Sequence, residues 1–138
     1  MRLCPRLATA VFLTVFAFSC TLTAADVRVY IGTGGGKGGG EGIYTMMLDS
    51  EAGTLSAPKR AVAAGGPSFV AIAPDQKHLY AVGSDKAPHG WVVSYTIDRA
   101  SGMLTELNRE SAGGKGSCFV SVAPNQKFAL VANYSGGS

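Results

Sequence analysis

The chain repeats itself at a spacing of fifty residues. SFVAIAPDQKHLYAVG, beginning at Ser68, returns as CFVSVAPNQKFALVAN, beginning at Cys118. Phe69 falls on Phe119, Val70 on Val120, Ala73-Pro74 on Ala123-Pro124 and Gln76-Lys77 on Gln126-Lys127. A second block, LDSEAGTLS at 48–56, returns as IDRASGMLT at 97–105, forty-nine residues on. One residue of loop slippage separates the two offsets. Chance likeness does not keep two blocks in order, and a period near 50 marks propellers and arrays.

Each unit reads as four short strands. Residues 69–73 are apolar and short, which predicts a strand buried on both faces. Pro74-Asp75 is a turn, with proline presetting φ. His78 to Gly83 is a second strand, and Trp91 to Ile97, rich in valine, tyrosine and threonine, a third. Asp98 to Gly102 closes a hairpin, and Leu104 to Arg109 alternates as an outer strand does. Helical periodicity is absent after residue 25, and 19 glycines without a collagen period suit many turns. The expected class is all-β, with propeller blades of four antiparallel strands. Val27 to Gly32 aligns with the second strand of a blade, Gly42 to Leu48 with the third, and Leu55 onward with the fourth. One full unit follows at 69–109, then two strands within 119–133. About two blades are therefore expected of the seven that roughly 350 residues would form. Residues 26–138 read as the N-terminal, incomplete part of a longer domain.

Residues 1–25 read as a signal peptide. Arg2 and Arg6 precede the uncharged run Leu7 to Phe18, and Thr23 and Ala25 are the small residues before a cleavage expected ahead of Asp26. The run is short for a membrane span. An uncleaved anchor, or lipidation at Cys20, is the alternative. The mature chain is expected to be exported, periplasmic or extracellular, without a membrane span. Cys118 is then the sole cysteine, which excludes an internal disulfide and makes a poor metal site. With Arg2 and Arg6 removed, ten basic residues face nine acidic ones, so no electrostatic case arises for nucleic acid. No metal or cofactor is expected.

The stretches VYIGT (29–33), GIYTMMLDSEAGTLS (42–56), GGPSFVAIAPDQKHLYAVG (65–83), VVSYTIDRASGMLTELN (92–108) and SCFVSVAPNQKFALVANYSGGS (117–138) resemble the seven-bladed β-propeller lactonases. That family includes propeller-type 6-phosphogluconolactonases and is similar to 3-carboxymuconate lactonising enzymes. The resemblance implies hydrolysis of a small-molecule lactone or sugar acid derivative. A muconate cyclase and a non-enzymatic exported propeller that binds a sugar or protein are the alternatives. Its implied catalytic histidine, arginine and glutamate resemble features of later repeats, beyond Ser138, so no catalytic residue is assigned. Two departures stand out. Phe119 occupies a place where the family often has histidine, and Gln76 and Gln126 stand where it often has glycine. The glutamines are expected to matter little to the turn.

Individual motifs are weaker. Gly34, Gly36 and Gly39 fit G-x-G-x-x-G by spacing, but the following segment is a strand, so the run reads as a loop. His78 reads as a strand-surface histidine, and neither it nor His89 has metal-ligand spacing. Asn133-Tyr134-Ser135 is a glycosylation sequon that reads as a turn. Antiparallel pairing of the first and second strands sets Ser117, Cys118 and Phe119 beside Asn133 and Tyr134. Ser68 falls at the equivalent place one unit earlier. These six residues are the candidate substrate-binding set, at one mouth of the propeller. Asn133 is either a ligand contact or the cap of its own turn.

Overall fold

The computed structural model describes residues 26–34, 41–84 and 89–138. The expected signal peptide, with Cys4 and Cys20, and most of the glycine run lie outside them. Ten strands follow in order: β1 Val27–Gly32, β2 Gly42–Asp49, β3 Thr54–Leu55, β4 Lys59–Ala63, β5 Pro67–Ile72, β6 His78–Gly83, β7 Trp91–Ile97, β8 Leu104–Ser111, β9 Ser117–Val122 and β10 Ala129–Asn133. The described residues contain no helix, so none long and apolar enough to cross a membrane. The all-β expectation holds.

The middle sheet, β5-β6-β7-β8, is a complete four-stranded antiparallel blade. The first sheet has the expected phase. β1 pairs β2, and β3 and β4 share the far edge of β2, through Leu48↔Leu55 and Gly42↔Ala63. The outer strand is thus broken at Ala57-Pro58, where proline has no N–H for a ladder. Ser56 bridges the break: its Oγ accepts from the Met47 N–H at 2.9 Å, and its own N–H donates to the Met47 carbonyl. The third sheet is the pair β9-β10.

Apolar residues at alternate positions fuse the first two sheets. Ile43 and Ala61 from the first sheet meet Leu79, Ala81, Trp91, Val93, Tyr95 and Leu104 from the second. Full burial of a Leu or Val side chain contributes about 1.5–3 kcal/mol, so this interface is the main adhesive. Val82 and Val120 are buried where the second sheet meets the third. β5 departs from expectation. Its Phe69 is 37% and its Ile72 45% exposed, since the first sheet, which begins at β1, brings no inner strand of its own to lie beside β5.

The two inner hairpins turn alike. Gln76 and Gln126 take φ of 55° and 57°, and their N–H groups donate to Ala73 and Ala123 carbonyls at 2.9 and 2.8 Å. Asp75 and Asn125 accept from the N–H groups of Lys77 and Lys127. The turn forms, but in the left-handed region where a side chain costs roughly 1 kcal/mol. The glutamines are therefore not neutral.

Candidate functional site

The mouth is built from strand ends. The starts of β5 and β9 lie beside the ends of β6 and β10, as antiparallel pairing requires. Each inner strand opens with a bulge. Pro67 pairs Gly83 and Phe69 pairs Val82, which leaves Ser68 extra. Ser117 pairs Asn133 and Phe119 pairs Ala132, which leaves Cys118 extra. A bulge re-aims its side chain. Ser68 and Cys118, fifty residues apart, are re-aimed alike: Ser68 Oγ lies 3.1 Å from the Val82 carbonyl, and Cys118 Sγ donates to the Ala132 carbonyl at 3.6 Å. Ser68 Oγ also reaches the Ser117 carbonyl of the next sheet at 2.7 Å.

A hollow of about 330 Å³ opens there, lined by Ser68, Ser84, Ser117, Cys118, Tyr134 and Ser135 with three glycines. Four of the six expected residues line it directly. Phe119 lies beside it on β9. Asn133 lies behind it, 5% exposed. The Asn133 side chain is fully engaged: Oδ1 accepts from Ser117 Oγ at 2.7 Å, and Nδ2 donates to the Ala112 carbonyl at 3.0 Å and Ser138 Oγ at 3.3 Å. Gly114 admits it, since a Cβ there would lie 2.6 Å from Nδ2. Of the two readings of Asn133, this geometry favours the architectural one. The same burial leaves the sequon's amide without a free N–H.

Two lining groups escaped the sequence reading: Ser135, and the glycine before each bulge. Gly66 and Gly116 have φ of 67° and 69° and stand fifty residues apart, so the repeat carried that signal. His78 opens β6 with its side chain partly exposed, and its Nδ1 lies 2.7 Å from Asp75 Oδ2. This pair sits at the far end of the blade. The backbone N–H of Lys77 holds the Asp75 carboxyl below its ordinary range, and His78 assists. Among the described residues no group of three or more potential metal ligands converges.

A larger cavity of about 730 Å³ lies at the far end too, along the seam of the first two sheets, with Val27, Arg28, Tyr30, Ile72 and Arg99 in its wall. Its Arg28 and Tyr30 join the two sheets, and its Arg99 ties two turns of the second sheet together. Arg28 donates to the carbonyls of Ala100 and Ser101 at 3.2 and 3.4 Å, Tyr30 to that of Gly102 at 3.0 Å, and Arg99 to that of Asp75 at 3.4 Å. The smaller hollow, which opens at the mouth with serines and a tyrosine in its wall, is the better candidate for a small polar ligand.

Comparison with known proteins bears on the fold and the family. The profile described as "Lactonase, 7-bladed beta-propeller" matches residues 28–138. The chain is 44% identical over 109 residues to the 6-phosphogluconolactonase of Bacillus subtilis (strain 168), covering 78% of this chain and 30% of that protein. A Bacteroides fragilis protein, provisionally assigned as a 6-phosphogluconolactonase, superposes with a TM-score of 0.74 at 28% identity, over 86% of this chain and 32% of that one. The periplasmic gluconolactonase of Pseudomonas aeruginosa does so with a TM-score of 0.66 at 25% identity, over 75% and 30%. The chain therefore spans about a third of the length of the relatives it matches.

Proposed function

Because the chain belongs to the seven-bladed β-propeller lactonase family, we propose that the protein it represents hydrolyses a sugar lactone at the mouth described above. The family match along almost all described residues carries this reading. The hydroxyl-lined hollow at the inner-strand bulges supports it. The named relatives favour hydrolysis over the ring-closing muconate reaction.

Lactone hydrolysis needs a water nucleophile, a base to take its proton, and donors for the tetrahedral oxyanion. The ring C–O bond then breaks and a hydroxy acid leaves. In this arc of the mouth Ser68, Ser84, Tyr134 and Ser135 supply hydroxyls to hold the sugar. Ser117 and Asn133 fix the strand ends that carry them. The Asp75–His78 pair lies at the wrong end of the blade to serve as the base. The acid–base groups belong in this reading to the two-thirds of the relatives' length that the chain does not span.

The proposal includes export, supported by the charged, apolar and small-residue zones of residues 1–25 and by a periplasmic relative. Export separates the protein from cytoplasmic sugar phosphates and favours an unphosphorylated lactone. Acid release from D-glucono-1,5-lactone and its 6-phosphate, above the spontaneous rate, tests the reaction with full-length protein. Turnover of neither ends the lactonase reading. N-terminal sequencing of exported protein tests the leader. A start at Asp26 supports it, and a cytoplasmic protein starting at Met1 refutes it.

A further inference from the structure

The mouth carries an aromatic pair that water attack on a lactone does not by itself require. Phe69 and Phe119 occupy equivalent places, each one residue after an inner-strand bulge. Their ring centroids are 4.8 Å apart and their planes are inclined by 51°. They belong to different sheets, the complete blade and the two-stranded one, and Phe69 is 37% exposed with both of those sheets in place. Val120, the next residue on β9, is 1% exposed. A ring lying on the outer face of the β9-β10 pair would point away from β5, whereas Phe119 touches the β5 ring. A ring clamped between the second and third sheets would be covered, whereas Phe69 is not. The pair therefore straddles the two innermost strands at the channel edge.

The surroundings indicate what such a patch suits. Ser68 and Cys118, which precede the two rings, line the hydroxyl-bearing hollow. Ser68 commits its proton to the Ser117 carbonyl at 2.7 Å, so its oxygen faces a ligand as an acceptor. An apolar aromatic surface bordered by hydroxyls complements a sugar ring, whose C–H groups cover its faces and whose hydroxyls project around its rim.

We propose that Phe69 and Phe119 form the floor on which the C–H face of a six-membered sugar lactone stacks, while Ser68 and its neighbouring hydroxyls take the ring hydroxyls. The inference rests on the lactonase reading of this same mouth and names the part of the substrate that this arc holds. The pair sets ring affinity, while the groups that move protons act on the carbonyl.

The test uses full-length protein with D-gluconolactam, a non-hydrolysable analogue of the ring, and D-glucono-1,5-lactone. Saturation of the protein's aromatic protons should pass to the C–H protons of one face of the bound lactam. In Phe69→Leu/Phe119→Leu, which keeps apolar volume and removes the π-faces, that transfer should vanish. KM for the lactone should rise roughly threefold to tenfold, the range of an aromatic contact, with kcat changed less. Phe69→Tyr/Phe119→Tyr, which keeps both π-faces, should give a KM well below that of the double-leucine variant. Turnover by the wild type without aromatic-to-ring transfer would overturn the floor and leave the lactonase reading intact. Transfer without turnover of either D-glucono-1,5-lactone or its 6-phosphate would support the floor and overturn the lactonase reading. A folded double-leucine variant with unchanged KM also refutes the floor. If that variant fails to fold, the same transfer measured in Tyr134→Ser, which removes the other aromatic ring lining the hollow, decides: its persistence supports the floor and its loss overturns it.

Discussion

Asn133→Ala separates an architectural residue from a ligand contact. The side chain is 5% exposed and joins three segments: Ser117 at the start of β9, Ala112 just past β8, and Ser138. Truncation strips Ser117 Oγ, itself 3% exposed, of its acceptor. It also strips the Ala112 carbonyl of a donor. The exposed Ser138 hydroxyl recovers a partner from water and adds little. One orphaned buried hydroxyl and one half-buried carbonyl, at about 1–3 kcal/mol each with partial relief by water, give a loss of roughly 2–4 kcal/mol. Urea unfolding measures it: the midpoint should fall while the slope stays constant. In a cycle with Ser117→Ala the pair should couple by about 1 kcal/mol, because removing one partner spares the cost of removing the other. A loss of stability below about 0.5 kcal/mol, with weakened lactone binding, would refute this reasoning and make Asn133 a ligand contact.

Two further outcomes follow from the turns. Gln76→Gly and Gln126→Gly relieve left-handed strain of about 1 kcal/mol each, partly offset by the freer unfolded chain. Each should raise the melting midpoint slightly, and a fall in both would show that the φ values carry no strain. Acid should weaken the fold through Asp75 and Asp98. Backbone donation from Lys77 holds the first carboxyl low, and backbone and side-chain donation from Ser101 holds the second. A depressed folded pKa gives stability that is whole above the ordinary carboxylate value near 4 and is lost as pH falls through the lower folded values. Stability curves of Asp75→Asn and Asp98→Asn should therefore flatten below about pH 4 relative to wild type. Curves parallel to wild type would exclude these groups.

The sequence by itself determined the class, the strands and their phase. The repeat at fifty residues, the alternation within each strand and the proline turns are local signals. They placed β6 and β7 at the bounds observed, His78–Gly83 and Trp91–Ile97. Antiparallel pairing of neighbours then implied which strand ends share a mouth, so Ser68, Ser117, Cys118 and Tyr134 were legible as a group. Pairing within a sheet depends on order along the chain, which a sequence displays.

Only the tertiary structure decided what each of those residues does. Bulges at Ser68 and Cys118 add one residue to a strand without altering its pattern. Asn133 turned inward because Gly114 left room for it and Ala112 offered a carbonyl. The break in the outer strand at Ala57-Pro58, the seam bonds of Arg28 and the meeting of Phe69 with Phe119 all cross between elements. The last two depend on the angle and distance at which one sheet stacks on the next. That geometry is set by the summed packing of Ile43, Leu79, Tyr95 and their neighbours, which no single spacing in the sequence encodes.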